Sequence, residues 1–335
     1  MLLREVCPEV IRDSEALINE LVTGGLIGST EAAFGVLNTI VTASKKCGDL
    51  FNEYLIEWIP RFIESRPTSQ VLINILRKFL TQYLSKAKSS GVKQAVKDVE
   101  KIVNDIKNEV MVVKEAIASL GSKRIVNGDV ILTHSHSTTV MLLLRKALES
   151  GTRFSVIVTE SRPIGEGLRT AEELEALGID TTLIVDSAVR YVMKRVSKVF
   201  VGADAVAANG AVVSKVGTSA IALAAKEARV RVYVAAETYK FGLETVFGEL
   251  IEGVMLSEPK LIMPDEWVNK LAGKVVVREP LFDVTPPEYI DAIITEFGLT
   301  APQAVPLLIR EIYGWPPKIV SVDSLLNEVR RYGSE

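Results

Sequence analysis

Residues 130–137 read Val-Ile-Leu-Thr-His-Ser-His-Ser, a short β-rich run that ends abruptly in polar residues. Further runs of this kind follow, and most are continuously apolar, as strands buried on both faces are. The strands predicted in this way cover residues 130–133, 154–159, 182–186, 199–202, 230–235 and 274–278. Helical stretches separate the first five, over residues 138–150, 170–177, 188–196 and 219–228. This alternation predicts an α/β fold with a parallel sheet and right-handed crossovers.

The residues before this region show helical spacing and few strand signals. Predicted helices cover residues 9–22, a small-residue stretch around 32–40, and 50–59, which is expected to stop near Pro60. A longer helix carries one apolar stripe with alternating steps of four and three, formed by Val92, Val96, Val99, Val103, Ile106, Val110, Val113 and Ile117. This stripe fits either packing within a helical domain or a coiled-coil seam between chains. The sequence therefore predicts a helical domain, residues 1–121, and an α/β domain, residues 122–335.

Composition narrows the class of protein. The chain has 335 residues, 48% of them apolar, which is enough apolar surface to fold. Its 39 basic and 42 acidic residues balance, which excludes a global electrostatic grip on nucleic acid. No signal peptide or long uncharged apolar run is visible, so we expect a cytoplasmic protein without a membrane partner. Cys7 and Cys47 are far apart and lie in no CxxC pair, which favours free buried thiols in a reducing cytosol over a disulfide or a zinc site.

Polar residues follow each of the first five predicted strands. In parallel sheets, ligands sit beyond the carboxyl ends of the strands, so these residues are the candidates for function. Five strands in succession that end in polar residues are hard to explain by packing alone. The segments are residues 133–137, 160–163, 186–187, 202–204 and 237–241.

The first of these segments contains two serines and two histidines. Ser135 and Ser137 precede a helix, so either is a candidate N-cap, and their hydroxyls also suit a phosphate at the positive helix end. His134 and His136 have the spacing of a metal pair, but no third ligand accompanies them, which favours a local hydrogen-bonding role and no metal. No GxSxG elbow is present, which argues against a serine hydrolase.

Charged candidates follow two of the other strands. Arg162 suits a bidentate phosphate contact, or alternatively an ion pair with Glu160 or Glu166. Asp204 follows a glycine that permits close approach of a ligand. Its carboxylate suits a general base or a partner for sugar hydroxyls, or alternatively a cap of the next turn. Both residues therefore keep a ligand role and a structural role open.

A further cluster surrounds a second helix start. Asn209 stands in a tight turn, and Lys215 is within reach of an anion held at the helix that begins after Gly217, at Thr218 or Ser219. The Walker pattern GxxxxGK(S/T) is absent, and no GxGxxG follows a strand. A nicotinamide or flavin cofactor therefore has weak support, and none is expected.

Several strings, taken together, resemble one protein family. In chain order they are Ile131-Leu-Thr-His-Ser-His-Ser, Val158-Thr-Glu-Ser-Arg-Pro, Val201-Gly-Ala-Asp, Asn209-Gly, Lys215-Val-Gly-Thr, Ala236-Glu-Thr-Tyr-Lys-Phe, Phe282-Asp-Val-Thr-Pro-Pro-Glu-Tyr-Ile and Ile293-Ile-Thr-Glu. This set is similar to the superfamily that unites the alpha, beta and delta subunits of translation initiation factor 2B with ribose-1,5-bisphosphate isomerase and methylthioribose-1-phosphate isomerase. The resemblance is dense over about residues 120–315, and before residue 120 it extends only to a helical outline with Glu64-Ser-Arg-Pro-Thr.

The resemblance implies a helical N-terminal domain, a Rossmann-like C-terminal domain with a phosphate-lined pocket, and a homodimer paired through the latter. It also implies that a cysteine and an aspartate isomerise a sugar phosphate through ring opening and proton or hydride movement, without a metal or organic cofactor. Asp204 matches that aspartate. The positions that match pocket residues of the family are Arg66, Arg162, Asn209, Lys215 and Lys240.

Two departures from the isomerases bear on the function. Ser135 stands at the cysteine position, and its hydroxyl is a poorer acid and base near neutral pH than a thiol. Val22-Thr-Gly-Gly-Leu stands where the isomerases carry an Arg-Gly-Ala-Gly phosphate loop. We therefore expect a non-catalytic regulator of the initiation-factor alpha-subunit type, which also carries serine and would bind a sugar phosphate or nucleotide and partner proteins such as initiation factor 2. The alternative is an active ribose-1,5-bisphosphate isomerase, an aldose–ketose isomerase with Asp204 and Ser135 as its catalytic residues.

Overall fold

The computed structural model describes residues 2–23, 28–242, 255–256, 259–271, 273–314 and 319–332. The chain divides into two compact units, residues 1–112 with 313–335, and residues 113–312. This division differs from the predicted domains, 1–121 and 122–335, in two places. The boundary falls inside a helix, and the C-terminal segment joins the first unit because its helix packs against helices of that unit. Among the described residues, no helix is both long and apolar enough to cross a membrane.

Helices build the first unit. They are α1 (Leu2–Val6), α2 (Pro8–Thr23), α3 (Ser29–Lys46), α4 (Phe51–Ser65), α5 (Gln70–Ser90), α6 (Val92–Lys97) and α7 (Val99–Ser122), whose last turns belong to the second unit. α4 continues through Pro60, because the apolar face around it, with Trp58 and Phe62 at most 1% exposed, stabilises the helix beyond the missing N–H. α6 and α7 meet at Asp98, so the apolar stripe is divided between two helices. Its central members are buried within the single chain: Val99, Val103, Ile106 and Val110.

A disulfide joins Cys7 to Cys47, with a Cα–Cα distance of 5.2 Å, so the expectation of free thiols is wrong. Cys7 directly precedes α2, and Cys47 directly follows α3. The two helices contact each other and have nearly equal lengths of 16 and 18 residues. At 1.5 Å per residue, the start of one therefore meets the end of the other when they pair as a hairpin. A separation of 40 residues along the chain says nothing about distance in such a hairpin.

Strands and connecting helices build the second unit, in the predicted Rossmann-like manner. The strands are β1 (Val130–Thr133), β2 (Ser155–Thr159), β3 (Asp180–Ile184), β4 (Lys198–Gly202), β5 (Ala205–Ala207), β6 (Val212–Lys215), β7 (Arg231–Ala235), β8 (Phe241–Gly242), β9 (Met255–Leu256), β10 (Glu279–Pro280), β11 (Phe282–Thr285), β12 (Ala292–Thr295) and β13 (Gly298–Thr300). The remaining helices are α8 (Thr138–Glu149), α9 (Glu166–Ala176), α10 (Val189–Val192), α11 (Thr218–Ala228), α12 (Asp265–Leu271), α13 (Val305–Tyr313) and α14 (Val322–Tyr332), the last of which belongs to the first unit.

The main sheet has seven strands in the order β13-β12-β7-β4-β1-β2-β3. Its strands are parallel apart from β13, which pairs with β12 in the antiparallel sense. Five of the predicted strands are present in it, as β1, β2, β3, β4 and β7. The run 274–278, predicted as a strand from its valines, is not one, because its backbone pairs with no strand in the described part of the chain. A smaller sheet, in the order β11-β6-β5-β8, stands beside the main one and carries Lys215 at the end of β6.

Candidate active site

The carboxyl ends of the central strands bring the candidate residues together. β1 pairs in parallel with β2 and with β4, and β4 pairs in parallel with β7. Residues 134–137, 160–163, 203–204 and 236–240 therefore all begin at the same edge of the sheet. Continuously buried strands hold this edge, as in β4, where four of the five residues are buried.

Ser135 is held in an unusual backbone conformation directly after β1. Its φ of 63° lies in the left-handed region, which costs a non-glycine residue about 1–3 kcal/mol. Its N–H donates to Ser161 Oγ at 2.7 Å, and its carbonyl oxygen accepts from Thr170 Oγ1 at 2.7 Å. These bonds fix the backbone on both sides of the residue. The half-buried hydroxyl then donates to Glu166 Oε2 at 2.5 Å.

Glu166 connects this hydroxyl to a buried lysine. Its other oxygen, Oε1, lies 3.1 Å from Lys215 Nζ, and both side chains are 7% exposed. The same ammonium group lies 4.9 Å from the centre of the Phe282 ring, a favourable cation–π distance. Because each buried charge has a partner, the arrangement avoids the cost of an isolated charge in the interior. The result is a line of three groups, Ser135–Glu166–Lys215, of which the hydroxyl is the least buried.

The two histidines have separate structural roles. His134 Nε2 lies 2.8 Å from the Val216 carbonyl and donates to it, so Nδ1 accepts from Thr159 Oγ1 at 2.5 Å. Burial lowers the pKa of His134, which agrees with a neutral ring in this position. His136 Nδ1 lies 3.0 Å from Thr170 Oγ1 instead. In the described part of the chain, no three His, Cys, Asp or Glu side chains are grouped to hold a metal ion.

Ser137 caps α8 and touches the end of β4. Its Oγ accepts a long hydrogen bond of 3.4 Å from Val140 N–H, which supports the N-cap interpretation. A Cβ added to Gly202 would lie 2.5 Å from this Oγ, so only glycine permits such close approach. Asp204 follows two residues later, half-buried, with its backbone N–H bonded to the Val213 carbonyl at 2.9 Å.

Arg162 and Asn209 are exposed, and their described contacts are local. The Asp186 carboxylate accepts from the Arg162 backbone N–H at 2.8 Å, and the guanidinium donates to the Leu261 carbonyl at 2.5 Å. An ion pair of Arg162 with Glu166 is not formed, because Glu166 pairs with Lys215. Asn209 Oδ1 accepts from Ala211 N–H at 3.0 Å and so stabilises its own turn.

The chain itself occupies the anion site predicted at the start of α11. Asp283 Oδ2 accepts from Gly217 N–H at 2.8 Å and from Ser219 N–H at 3.1 Å. Asp283 Oδ1 is buried and has no hydrogen-bond partner among the described residues. Burial raises the pKa of this carboxyl group to about 6, although the two backbone N–H groups oppose the shift. Lys215 pairs with Glu166 rather than with an anion at this helix.

Lys240 belongs to a second buried charge cluster. Its Nζ lies 2.9 Å from Glu237 Oε2, and Thr139 Oγ1 donates to the other oxygen of Glu237. Burial alone would raise the pKa of Glu237, but Lys240 and Lys114 outweigh burial and lower it to about 2. Lys114 donates to the hydroxyl of Thr138, the first residue of α8. Two ammonium groups and one carboxylate thus lie near the positive end of this helix.

Arg66 and the N-terminal loop belong to the other compact unit. Arg66 is buried and follows α4, and its backbone N–H bonds to the Ile63 carbonyl at 3.1 Å. Within the loop that departs from the isomerase pattern, residues 24–26 lie outside the described part of the chain.

The sequence places Glu237 in a candidate segment without assigning it a role, and it assigns no site role to Glu166 or Asp283. Glu237 and Asp283 lie inside strings that carry the family resemblance, which is the signal that could have found them. From the sequence, Glu166 is only an alternative ion-pair partner of Arg162. It starts α9 four residues before the predicted helix, which places it beside the end of β1.

Comparisons with known proteins show the family of the chain. The model of the Initiation factor 2 subunit family matches residues 24–302. The chain belongs to this family. A ribose 1,5-bisphosphate isomerase of Thermococcus kodakarensis is 47% identical over 204 residues, which are 61% of this chain and 63% of that protein. An isomerase of the same name from Haloterrigena turkmenica is 32% identical over 316 residues, 92% of this chain and 95% of that protein.

A solved structure matches the fold of this family member across most of its length. The translation initiation factor eIF-2B of Pyrococcus horikoshii OT3 superposes with a TM-score of 0.73 at 31% identity, covering 86% of this chain and 97% of that one. The match with the Thermococcus kodakarensis isomerase, by contrast, spans less than two thirds of that protein's length.

The expectation of a non-catalytic regulator of the alpha-subunit type is wrong. Relatives at 47% and 32% identity carry the name of an isomerase, which favours the enzymatic alternative. The expectation rested on two local differences, Ser135 and the segment around residues 22–26. The similarity to the isomerases, in contrast, is spread over 204 residues or more.

Proposed function

We propose that the chain is a ribose-1,5-bisphosphate isomerase, which converts this aldose bisphosphate into ribulose 1,5-bisphosphate. The observation that carries the proposal is the 47% identity over 204 residues with the Thermococcus kodakarensis isomerase. The carboxyl edge of the seven-stranded sheet supports it, because hydroxyl, carboxylate and ammonium groups suited to such a reaction are gathered there.

The isomerisation needs proton transfer at two oxygen atoms of the sugar. The bond between C1 and the ring oxygen breaks as that oxygen gains a proton. The C2 hydroxyl loses its proton as C2 becomes a ketone, and the hydrogen on C2 moves to C1 with its electron pair. Atoms and electrons balance within the sugar, so the protein has only to deliver one proton and remove another.

We assign these two proton transfers to Asp204 and Ser135. Asp204 follows β4 and Ser135 follows β1, and the two strands are neighbours in the sheet. The half-buried carboxyl group of Asp204 is the acid that we assign to the ring oxygen, and Asp204 also matches the aspartate of the family. Ser135 then accepts the proton that the C2 hydroxyl group loses.

We place one substrate phosphate near the N-terminus of α8. Lys240 and Lys114 lie there with one carboxylate between them, and the helix end adds partial positive charge. Contacts of the sugar or its second phosphate stay predictions at the other positions: Arg66, Ser137, Arg162, Asn209, Lys215 and Gly217.

The decisive experiment is turnover of ribose 1,5-bisphosphate by the purified chain, followed by ³¹P NMR detection of ribulose 1,5-bisphosphate. Asp204→Asn is expected to lower kcat by about 100-fold or more, because loss of a general acid typically has that effect. Asp180→Asn, on the exposed start of β3, is the matched control and should leave kcat unchanged. Absence of turnover by the unmodified protein would rule the proposal out.

We also propose that the enzyme is a cytoplasmic homodimer paired through the second unit. The resemblance to the initiation-factor and isomerase superfamily, which implies dimers paired through this domain, is what supports the proposal. Binding to initiation factor 2 or to a nucleotide stays a prediction.

A further inference from the structure

Ser135 needs a partner if it is to move protons at neutral pH. A serine hydroxyl alone is a weak nucleophile and base, and enzymes activate it with an adjacent base. In this chain the group in direct contact with the hydroxyl is the Glu166 carboxylate, not an imidazole. His134 and His136 flank the serine in sequence, but both ring nitrogens of His134 are engaged elsewhere, and His136 Nδ1 lies 3.0 Å from Thr170 Oγ1.

The contact between Ser135 and Glu166 is a short, charge-assisted hydrogen bond. The distance of 2.5 Å from Oγ to Oε2 lies at the short end for a hydroxyl bonded to a carboxylate. Lys215 holds the other oxygen of Glu166 at 3.1 Å. The glutamate and the lysine are both 7% exposed, whereas Ser135 is half-buried. The serine is therefore the member of the line that a ligand can touch.

The backbone around the pair is fixed before any ligand binds. A Cβ added to Gly167 would lie 1.8 Å from the Thr159 carbonyl oxygen, so the first turn of α9 is packed tightly on the end of β2. This packing sets the position of Glu166, the first residue of the helix. On the other side, the bonds from Ser161 and Thr170 set the position of Ser135. Groups that are held in place beforehand need no reorganisation during the reaction.

We propose that Glu166 accepts the proton of Ser135, so that the serine–glutamate pair, with Lys215 behind it, replaces the thiol of the isomerases that this chain resembles. This inference rests on the proposed function. In the step, the C2 hydroxyl of the sugar gives its proton to Ser135 Oγ while Ser135 gives its own proton to Glu166. As many O–H bonds form as break, and solvent exchange later removes the proton from Glu166 and restores the one that Asp204 gave up. Glu166 acts through Ser135 and is a positioning residue.

A double-mutant cycle separates this role from a structural one. Glu166→Gln should lower kcat by about 100-fold or more with KM changed less than about threefold, because the hydroxyl loses its base. In a Ser135→Cys background, the same Glu166→Gln change should lower kcat by less than about fivefold, because a thiol reaches its thiolate unaided. Glu172→Gln, on the exposed side of α9, is the control for both backgrounds. An equal loss in both backgrounds would mean that Glu166 is only structural.

A measurement independent of turnover uses the thiol of the Ser135→Cys variant. The native cysteines are joined in a disulfide, so this thiol is the only free one, and its alkylation rate against pH reports its pKa. Adding Glu166→Gln removes a neighbouring negative charge and should lower that thiol pKa by about one pH unit. If Glu166→Gln does not fold, Glu166→Asp tests the same point, because it draws the carboxylate back by about 1.5 Å, one C–C bond.

The two measurements distinguish the inference from the proposed function. Turnover by the native chain with no effect of Glu166 on the thiol pKa would leave the isomerase in place and overturn the pair. A lowered thiol pKa without turnover by the native chain would leave the pair in place and overturn the isomerase. If Glu166→Gln lowers the thiol pKa and also costs more kcat in the native background than in the Ser135→Cys background, both the pair and the isomerase are supported.

Discussion

Two buried carboxylate–lysine pairs lie at the carboxyl edge of the main sheet, and they are built alike. Glu166 lies 3.1 Å from Lys215, and Glu237 lies 2.9 Å from Lys240. All four side chains are at most 7% exposed. Each carboxylate also accepts a hydrogen bond from a hydroxyl group that follows β1. The same set of groups therefore occurs twice, and its two hydroxyl groups, on Ser135 and Thr139, belong to one loop and the helix that follows it.

The pairs differ at the hydroxyl and in their surrounding charge. Ser135 is half-buried in a loop, whereas Thr139 is 1% exposed inside the first turn of α8. Glu237 also has a second cation nearby, and its pKa is lowered to about 2 despite complete burial. The pair with the enclosed hydroxyl balances buried charge, whereas the pair with the accessible hydroxyl is the one that can exchange a proton with a ligand. The greater exposure of Ser135 than of Thr139 is thus the difference that leaves only the first pair open to a ligand.

The largest effect on stability is expected at Glu237. Glu237→Gln leaves Lys240 and Lys114 buried beside a neutral amide, and loss of one partner from a buried ion pair typically costs about 3–5 kcal/mol. Urea unfolding at pH 7 measures the change. Glu296→Gln is the control, because Glu296 binds backbone and hydroxyl groups of Thr238, and its loss should cost less than half as much. Equal costs at both sites would contradict the assignment of Glu237 to charge balance.

Asp283 is a third carboxyl group to compare with Glu166 and Glu237. Its partners are two backbone N–H groups, whereas the other two carboxylates pair with a lysine. Burial raises its pKa to about 6, above the ordinary 3.8. Between pH 3.8 and pH 6 the Asp283 carboxyl group is ionised in the unfolded chain but still protonated in the folded chain. Its contribution to stability is therefore complete below pH 3.8 and is lost as pH rises through 6. Glu237 has the opposite sign, because its lowered pKa makes it stabilising above pH 4.5 and less so as pH falls toward 2.

Asp283→Asn should therefore flatten the pH dependence between pH 4 and pH 7. An amide cannot ionise, so the loss of stability over this range is expected to be smaller than in the native chain by about 1–3 kcal/mol. Urea unfolding of both proteins at pH 4, 5.5 and 7 provides the measurement. Glu237→Gln serves as the control, since the effect of Glu237 has the opposite sign and falls mostly below this range. Parallel curves for Asp283→Asn and the native chain would mean that the group titrates normally.

Local patterns in the sequence predicted five of the seven strands of the main sheet and the edge at which the candidate residues lie. Apolar runs buried on both faces are continuous in sequence, and the polar residues that end them are directly adjacent, so neither inference needs long-range information. The run 274–278 shows the limit of this reasoning, because valines favour a strand only where another strand is present to pair with.

Contacts between distant residues could not be predicted in this way. The Cys7–Cys47 disulfide depends on two helices pairing as a hairpin, and the Glu166–Lys215 pair depends on how the small sheet stands beside the main one. The expectation of a non-catalytic regulator is wrong for a related reason. The sequence presents Ser135 as an isolated side chain, whereas the fold brings the Glu166 carboxylate to its hydroxyl.

The smallest effects are expected from removal of the two hydroxyls, and they should run in opposite directions for stability and activity. Thr139→Val keeps the shape of the side chain but leaves a buried oxygen of Glu237 without its donor, at about 1–2 kcal/mol. Ser135→Ala should cost less than about 0.5 kcal/mol, because Ser135 is half-buried and Glu166 keeps its ion pair with Lys215. Turnover should be lost in Ser135→Ala and retained in Thr139→Val. Thr181→Val, in β3, is the isosteric control for both measurements. Equal stability costs at the two sites, or loss of turnover in Thr139→Val, would mean that hydroxyl accessibility does not distinguish the two pairs.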